Sequence, residues 1–202
     1  MSTYFVTGTD TDVGKTVVSA WLVHHLNASY WKPVQSGMNE TPDKNEIQRL
    51  CGISDHRILP STYELNEALS PHEAARIDGI EIKLDKIVKP EVKGPLVIEG
   101  AGGVYVPLND ASFMIDLISK MGCPTIVVAR SGLGTINHTL LTLSALRQNN
   151  IDVLGVVLNG PLNPKNKKAI EEFGKVPILG QIPYIKGIDV SQFEKINLSL
   201  QL

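Results

Sequence analysis

The residues best suited to chemistry lie near the start of the chain, in the segment 8–16, which reads GTDTDVGKT. A short apolar run precedes it and a helix-like stretch follows it, which is the strand–turn–helix context that a phosphate-binding loop requires. Backbone N–H groups and the positive end of the helix dipole face an anion in such a loop. Lys15 is expected to reach the β- and γ-phosphates, and the Thr16 hydroxyl to bind Mg²⁺. The segment predicts a nucleotide site.

The loop also departs from the common pattern. Five residues separate Gly8 from the Gly14–Lys15 pair, and two of them, Asp10 and Asp12, are acids. The alternative to a phosphate loop is a glycine-rich turn without a ligand. The Lys-Thr pair and the two flanking elements together disfavour that alternative.

A second group of candidates follows the second predicted strand. Lys32 lies at the strand end, and Ser36 and Gly37 offer a hydroxyl and an open backbone a few residues later. A strand-end lysine is more often a solvated cap. Beside a phosphate loop, however, its charge would stabilise the negative oxygens of a phosphoryl-transfer transition state.

The third group begins with Glu99, which ends a hydrophobic strand and precedes a glycine-rich stretch. An acid in this position commonly holds Mg²⁺ beside a phosphate loop, and an unpaired carboxylate there would be costly. A second acid is expected from the segment 41–46. Asp43 and Glu46 are both candidates, and both are equally well explained as acids in the first turn of a helix.

Two further strand ends carry polar residues. The segment 131–138 places glycines before a long helix, which suits either an anion or an ordinary turn. Asn159 offers a donor and an acceptor, which match the edge of adenine, although an Asn-Gly turn explains it too. The segment 182–184 ends the last predicted strand and would flank the base.

Continuously apolar runs alternate with helix-period stretches, which is typical of strands buried on both faces of a parallel sheet. The pattern predicts an α/β fold of the P-loop NTPase type, a doubly wound, mainly parallel sheet flanked by helices. Ligands should bind at the carboxyl ends of its strands. The predicted strands are residues 3–7, 29–34, 95–99, 124–130, 151–158 and 177–182, and the predicted helices are residues 14–26, 43–51, 71–78, 112–121, 134–149 and 164–174.

Length and composition indicate the number of domains and disfavour some classes of protein. The 202 residues predict a single domain, 1–202, in which residues 35–94 form an irregular insertion beside the site. A net charge of −2 disfavours nucleic-acid binding, and no apolar run is long enough to span a membrane. The absence of a signal peptide and of metal-spaced cysteines predicts a cytoplasmic enzyme.

Together these segments resemble the dethiobiotin synthetase family. The resemblance rests on the segments 5–16, 32–37, 99–103 and 133–138 and on Asn159, and the long loop spacing is this family's pattern. Position 12 is Asp where many members carry Glu. The resemblance implies ATP-dependent carboxylation and ring closure of 7,8-diaminopelargonate with CO₂, in biotin biosynthesis. It also implies a homodimer with the active site at the subunit interface.

The resemblance assigns roles to individual residues. Asp43 is preferred to Glu46 because it precedes Gln48 by five residues, as the family's metal-binding Asp precedes a similar Gln. The implied catalytic residues are Lys32, Lys15 and Thr11; the Mg²⁺ ligands are Thr16, Asp43 and Glu99; and the substrate residues are Ser36, Thr11, Lys32 and Asn137. The implied ATP site comprises Asp12, Val13, Gly14, Lys15, Thr16, Val17, Asp43, Glu99, Gly100, Ala101, Gly102, Asn159, Gly160, Pro183, Tyr184 and Ile185.

Two alternatives remain at this stage. A cobyrinic-acid-type amide synthetase would need a glutaminase domain as its source of ammonia, which a chain of this length leaves to a separate subunit. A partitioning or switch ATPase usually carries a second lysine inside the loop, whereas this loop carries Asp10 in that place.

Overall fold

A computed structural model describes residues 2–183 of the chain. The elements in this range are β1 (Thr3–Gly8), α1 (Lys15–His25), β2 (Ser29–Trp31), β3 (Val34–Gln35), α2 (Asp43–Cys51), β4 (Ile58–Leu59), β5 (Tyr63–Glu64), α3 (Pro71–Asp78), β6 (Leu96–Gly103), α4 (Met114–Met121), β7 (Thr125–Arg130), α5 (Thr135–Gln148), β8 (Val153–Asn159), α6 (Pro164–Gly174) and β9 (Ile178–Ile182).

Seven of the strands form one sheet in the order β4-β2-β6-β1-β7-β8-β9, and each neighbouring pair is parallel. Strand β1 lies at the centre, between β6 and β7. The chain therefore crosses over in both directions from β1, which makes the end of β1 the topological switch point where ligands bind. The predicted doubly wound parallel fold is confirmed.

Helices cover both faces of the sheet, so each central strand is apolar on both sides. Residues of α1 and α2 pack with Val97 on one face, and residues of α3, α4, α5 and α6 pack with Ile98 on the other. Both of these β6 side chains are fully buried. Glu99 follows on the same face as Val97, because side chains alternate along a strand.

The second predicted strand is wrong beyond Trp31. Pro33 has no N–H to donate to a ladder, so the main-sheet strand stops before it. The next residues form β3, which pairs with β5 in a separate two-stranded sheet. Strands β4 and β5 lie in the stretch 35–94, where no strand was predicted, since two residues are too short to show a period.

The other predicted elements are observed, with ends shifted by a few residues. The largest shift is in β6, which continues to Gly103 and pairs there with Gly8 at the end of β1. Within residues 2–183, no helix combines the length and the apolar character needed to cross a bilayer.

Both cysteines are buried, and burial raises the pKa of the Cys51 thiol and of the Cys123 thiol to about 11. Since the thiolate is the reactive form, we expect a disulfide reagent at about pH 8 to label neither cysteine in the folded protein. Both should react after unfolding in guanidinium. A spectrophotometric thiol titration measures this, and rapid labelling of the folded protein would contradict the described packing.

Candidate active site

The predicted phosphate loop joins β1 to α1. Gly14 precedes the helix with a φ of 97°, a left-handed conformation that favours glycine. A Cβ at this position would clash with the side-chain amide of Asn159. That amide donates a hydrogen bond of 3.0 Å from its Nδ2 to the Val13 carbonyl. The end of β8 therefore supports the loop directly.

Lys15 is the first residue of α1, directly after the loop, and 6% of its surface is exposed. Its Nζ donates to the Asp10 carbonyl at 2.9 Å. Burial lowers the pKa of Lys15, although the nearby charges of Glu99 and Asp43 act in the opposite direction. Arg130, at the end of β7, supports the same loop by donating to the Thr11 carbonyl at 2.9 Å.

Three side chains that carry oxygen atoms converge at the start of α1. Thr16 Oγ1 lies 2.6 Å from Asp43 Oδ1 and 3.0 Å from Glu99 Oε1. A hydroxyl and two carboxylates are hard oxygen donors of the kind that Mg²⁺ prefers, so this set fits the predicted metal. No cluster of three or more His, Cys, Asp or Glu side chains suited to a metal occurs in residues 2–183.

The other acid considered, Glu46, does not join this set. It is paired on the surface with Arg49, whose Nη2 lies 2.6 Å from Glu46 Oε1. The hydrogen bond from Arg49 lowers the pKa of Glu46. Asp43 begins α2, and its backbone N–H donates to Gln35 Oε1 at 3.3 Å, which orients the start of that helix toward the loop.

Lys32 bridges the two converging acids. Its Nζ donates to Asp43 Oδ2 at 2.6 Å and to Glu99 Oε1 at 3.2 Å, and the residue is 8% exposed. Burial opposes its charge, but the two carboxylates outweigh burial and raise the pKa of Lys32. Burial likewise acts to raise the pKa of Asp43, but the charge and hydrogen bonds of Lys32 lower it overall. The lysine therefore remains protonated and the aspartate ionised.

These groups face a cavity of about 740 Å³ at the carboxyl ends of the central strands. Its lining residues are Thr11, Asp12, Gly14, Lys15, Thr16, Val17, Lys32, Gln35, Ser36, Gly37, Glu40, Thr41, Asp43, Ala68, Leu69, Ser70, Pro71, Glu99, Ala101, Gly102 and Val106. The Ser36 hydroxyl is buried and has no hydrogen-bond partner in the described part of the chain, so a ligand could supply one.

Several predicted site residues lie outside this cavity lining. At Gly100 a Cβ would point to the other face of β6 and lie 2.9 Å from the Phe5 ring. The lack of a side chain at Gly100 therefore serves packing in the core. Val13 is buried in the core. Asn137 lines a second cavity of about 660 Å³, which meets the first at Val106.

The predicted adenine residues lie at the ends of β8 and β9. The Gly160 backbone donates to the Ile182 carbonyl at 2.8 Å, which brings these two ends together, and Pro183 follows as an exposed residue. Asn159 contacts the phosphate loop, as described above. Tyr184 and Ile185 lie outside the described residues.

The sequence analysis missed three contributions to the site. The stretch 68–71, before and at the start of α3, lines the cavity, although its sequence indicated only a helix start. Gln35 holds the start of α2, and the Tyr30 hydroxyl donates to Glu99 Oε2 at 3.1 Å. For Gln35 the available signal was an amide side chain next to the apolar Val34, whereas for Tyr30 there was none, because aromatic residues are common in strands.

The parallel sheet, the Lys-Thr loop after its central strand and the converging acids define a P-loop nucleotide-binding protein. Comparison with known proteins agrees. A family model described as an AAA domain matches residues 2–192. The septum site-determining protein MinD of Pyrococcus horikoshii, solved with Mg-ADP, aligns with a TM-score of 0.59 at 18% identity, covering 99% of this chain and 91% of that one. At this identity the likeness shows the fold.

Comparison with curated relatives identifies the family within this class. An ATP-dependent dethiobiotin synthetase of Paramagnetospirillum magneticum is 54% identical over 178 residues, covering 88% of this chain and 86% of the relative. Another, from Brucella anthropi, is 48% identical over 187 residues, covering 93% and 88%. The chain therefore belongs to the ATP-dependent dethiobiotin synthetase family. The predicted family, and with it the prediction of an ATP-dependent ligase, is confirmed.

The contrast between Asp43 and Glu46 gives a prediction. Asp43→Asn should raise the Mg²⁺ concentration for half-maximal activity by about tenfold or more, because it weakens the set of converging oxygen atoms that we expect to hold Mg²⁺. Glu46→Gln should shift it by less than about twofold, because it removes only an exposed ion pair. Titrating Mg²⁺ at fixed ATP measures both. A shift for Glu46→Gln but not for Asp43→Asn would indicate that Glu46, and not Asp43, binds Mg²⁺.

Proposed function

We propose that the protein converts 7,8-diaminopelargonate, CO₂ and ATP into dethiobiotin, ADP and phosphate. The observation that carries the proposal is the arrangement around one cavity of the phosphate loop, a buried lysine and a hydroxyl–carboxylate set, in a chain of this family. Each part matches a need of phosphoryl transfer, in which positioning and charge stabilisation supply most of the rate.

The loop and its neighbours would bind the nucleotide. Backbone N–H groups at the start of α1 hold the phosphates, and Lys15 exchanges its contact with the Asp10 carbonyl for a phosphate oxygen. Thr16, Asp43 and Glu99 would hold Mg²⁺, which neutralises phosphate charge when bound. Asn159 keeps its Oδ1 available for the adenine amino group, because its Nδ2 is the atom that contacts the loop.

The reaction itself would proceed in three steps. One amine of the substrate combines with CO₂ to form a carbamate, and a carbamate oxygen attacks the γ-phosphorus while ADP leaves. The second amine then attacks the carbon of the resulting carbamic–phosphoric anhydride and expels phosphate, which closes the five-membered urea. The protonated Lys32 would stabilise the carbamate and the transferring phosphoryl group, with Lys15 on the far side. Thr11 and the unpartnered Ser36 hydroxyl would orient the substrate.

A steady-state assay tests this function. ADP release should depend on both diaminopelargonate and bicarbonate, and mass spectrometry should detect dethiobiotin in equal amount. Lys32→Ala should lower kcat by about 100-fold or more, because it removes charge stabilisation of the transition state. Its nucleotide affinity should change far less, because the phosphate loop is intact. ADP release that is indifferent to diaminopelargonate would point instead to a switch-type ATPase.

We also propose that the protein is a homodimer whose sites use residues of both subunits. Support comes from the second cavity, where Asn137 lies beside the exposed apolar side chains of Tyr105 and Leu141. The backbone N–H groups that begin α5 would bind the substrate carboxylate of the neighbouring subunit's site. A two-fold axis would bring this face against its own copy.

Mixed dimers test the shared site. Lys15→Ala and Gly134→Trp should each inactivate the homodimer, the second because Gly134 has a φ of 90° and begins the anion-binding turn. In a mixed dimer one site carries both lesions and the other carries neither. With equal amounts and random exchange, activity should recover to about a quarter of wild type. Failure to recover, with exchange demonstrated by two affinity tags, would place each site within one chain.

A further inference from the structure

We propose that Tyr30 is a positioning residue, whose buried phenol fixes the Glu99 carboxylate in the orientation that serves the metal and Lys32. The inference rests on the proposed role of Glu99 as a Mg²⁺ residue. No motif of the phosphate loop includes Tyr30, and in the sequence it reads as an ordinary residue of a buried strand.

The two oxygens of Glu99 have separate partners. Oε1 lies 3.0 Å from Thr16 Oγ1 and 3.2 Å from Lys32 Nζ, on the side of the cavity. Oε2 accepts a hydrogen bond from the Tyr30 hydroxyl at 3.1 Å, within the core. Tyr30 and Glu99 are each 1% exposed, so water does not compete for this bond. Glu99 Oε2 therefore bonds within the core, whereas Oε1 contacts residues of the site.

The sheet sets this geometry. Tyr30 of β2 pairs in register with Val97 of β6, and Glu99 lies two residues further along β6 on the same face. Both residues therefore come from adjacent strands in the interior of the main sheet. Groups placed on such rigid elements hold their positions more tightly than groups on loops. Tyr4 of β1 pairs with the same Val97 from the other side, at the same level of the sheet.

The hydroxyl is suited to this task. A phenol has one O–H to donate, and Glu99 Oε2 accepts it at 3.1 Å within the core. The terminal torsion of a glutamate is otherwise broad, and the two oxygens could exchange places. Without the phenol, Oε2 would be a buried charged acceptor with no donor, a costly arrangement that the carboxylate would relieve by turning. Turning would disturb the Thr16 and Lys32 contacts.

Tyr30→Phe tests the proposal, since it removes the hydroxyl and keeps the ring. The matched control is Tyr4→Phe, since the Tyr4 hydroxyl makes no hydrogen bond within the described residues. Binding of Mn²⁺ to the ADP complex is followed by electron paramagnetic resonance, which needs no turnover. We expect Mn²⁺ affinity to fall about 10- to 100-fold in Tyr30→Phe, the range for partners of metal ligands, and to be unchanged in Tyr4→Phe. ADP affinity in EDTA should be unchanged in both.

The outcomes separate the two proposals. Wild-type protein that binds no Mn²⁺ with ADP would overturn the metal role of Glu99 itself. Wild-type binding matched by Tyr30→Phe would overturn the role of Tyr30 alone. In a double-mutant cycle with Glu99→Gln, the effect of Tyr30→Phe should largely vanish, because it acts through the carboxylate. Fully additive effects on Mn²⁺ affinity would contradict the proposal.

The same double-mutant cycle also tests the cause of any loss of stability in Tyr30→Phe. If Tyr30→Phe lowers the melting temperature because a buried carboxylate has lost its donor, adding Glu99→Gln should restore much of it. A loss that persists in the double variant would assign Tyr30 a packing role and overturn the proposal.

Discussion

The site depends on Lys32, which bridges Asp43 and Glu99 through two ion pairs. Removing such groups from water is costly, and their attraction offsets the cost only when the geometry is good and the remaining oxygens are hydrogen-bonded. Here Thr16 and Tyr30 supply those additional contacts. The bridge requires that β2, which Lys32 follows, lie beside β6, which carries Glu99, and the strand order provides this. It also requires that α1 and α2 begin beside them, where Thr16 and Asp43 lie.

Much of this could be predicted from the sequence because its signals are local. The phosphate loop is one continuous segment with a strand before it and a helix after it, and Glu99 directly follows the apolar run that forms the first part of β6. Asp43 could be placed only by resemblance, since a first-turn acid and a metal ligand have the same local pattern. The structure separates it from Glu46 through contacts with Thr16 and Lys32, which lie far from it in sequence.

The remaining features depend on non-local geometry. Pro33 indicates that a strand is interrupted, but not that the next residues join a second small sheet. Glu99 and Gly100 were predicted together for the ATP site, yet alternation along β6 turns one toward the cavity and the other toward the Phe5 ring. Asn137 lines a second cavity that includes Thr9 and Asp10 but not Lys15, and no local sequence pattern indicates this division.

The close approach of Gly14 and Asn159 has a consequence for the evolution of the site. One side chain occupies the space that the missing Cβ of the other leaves, so the two positions form a single steric unit across 144 intervening positions of the sequence. If Asn159 reads the base, as proposed, then a change of base preference at this position also alters the support of the phosphate loop. Base preference and phosphate binding would therefore change together when Asn159 is substituted.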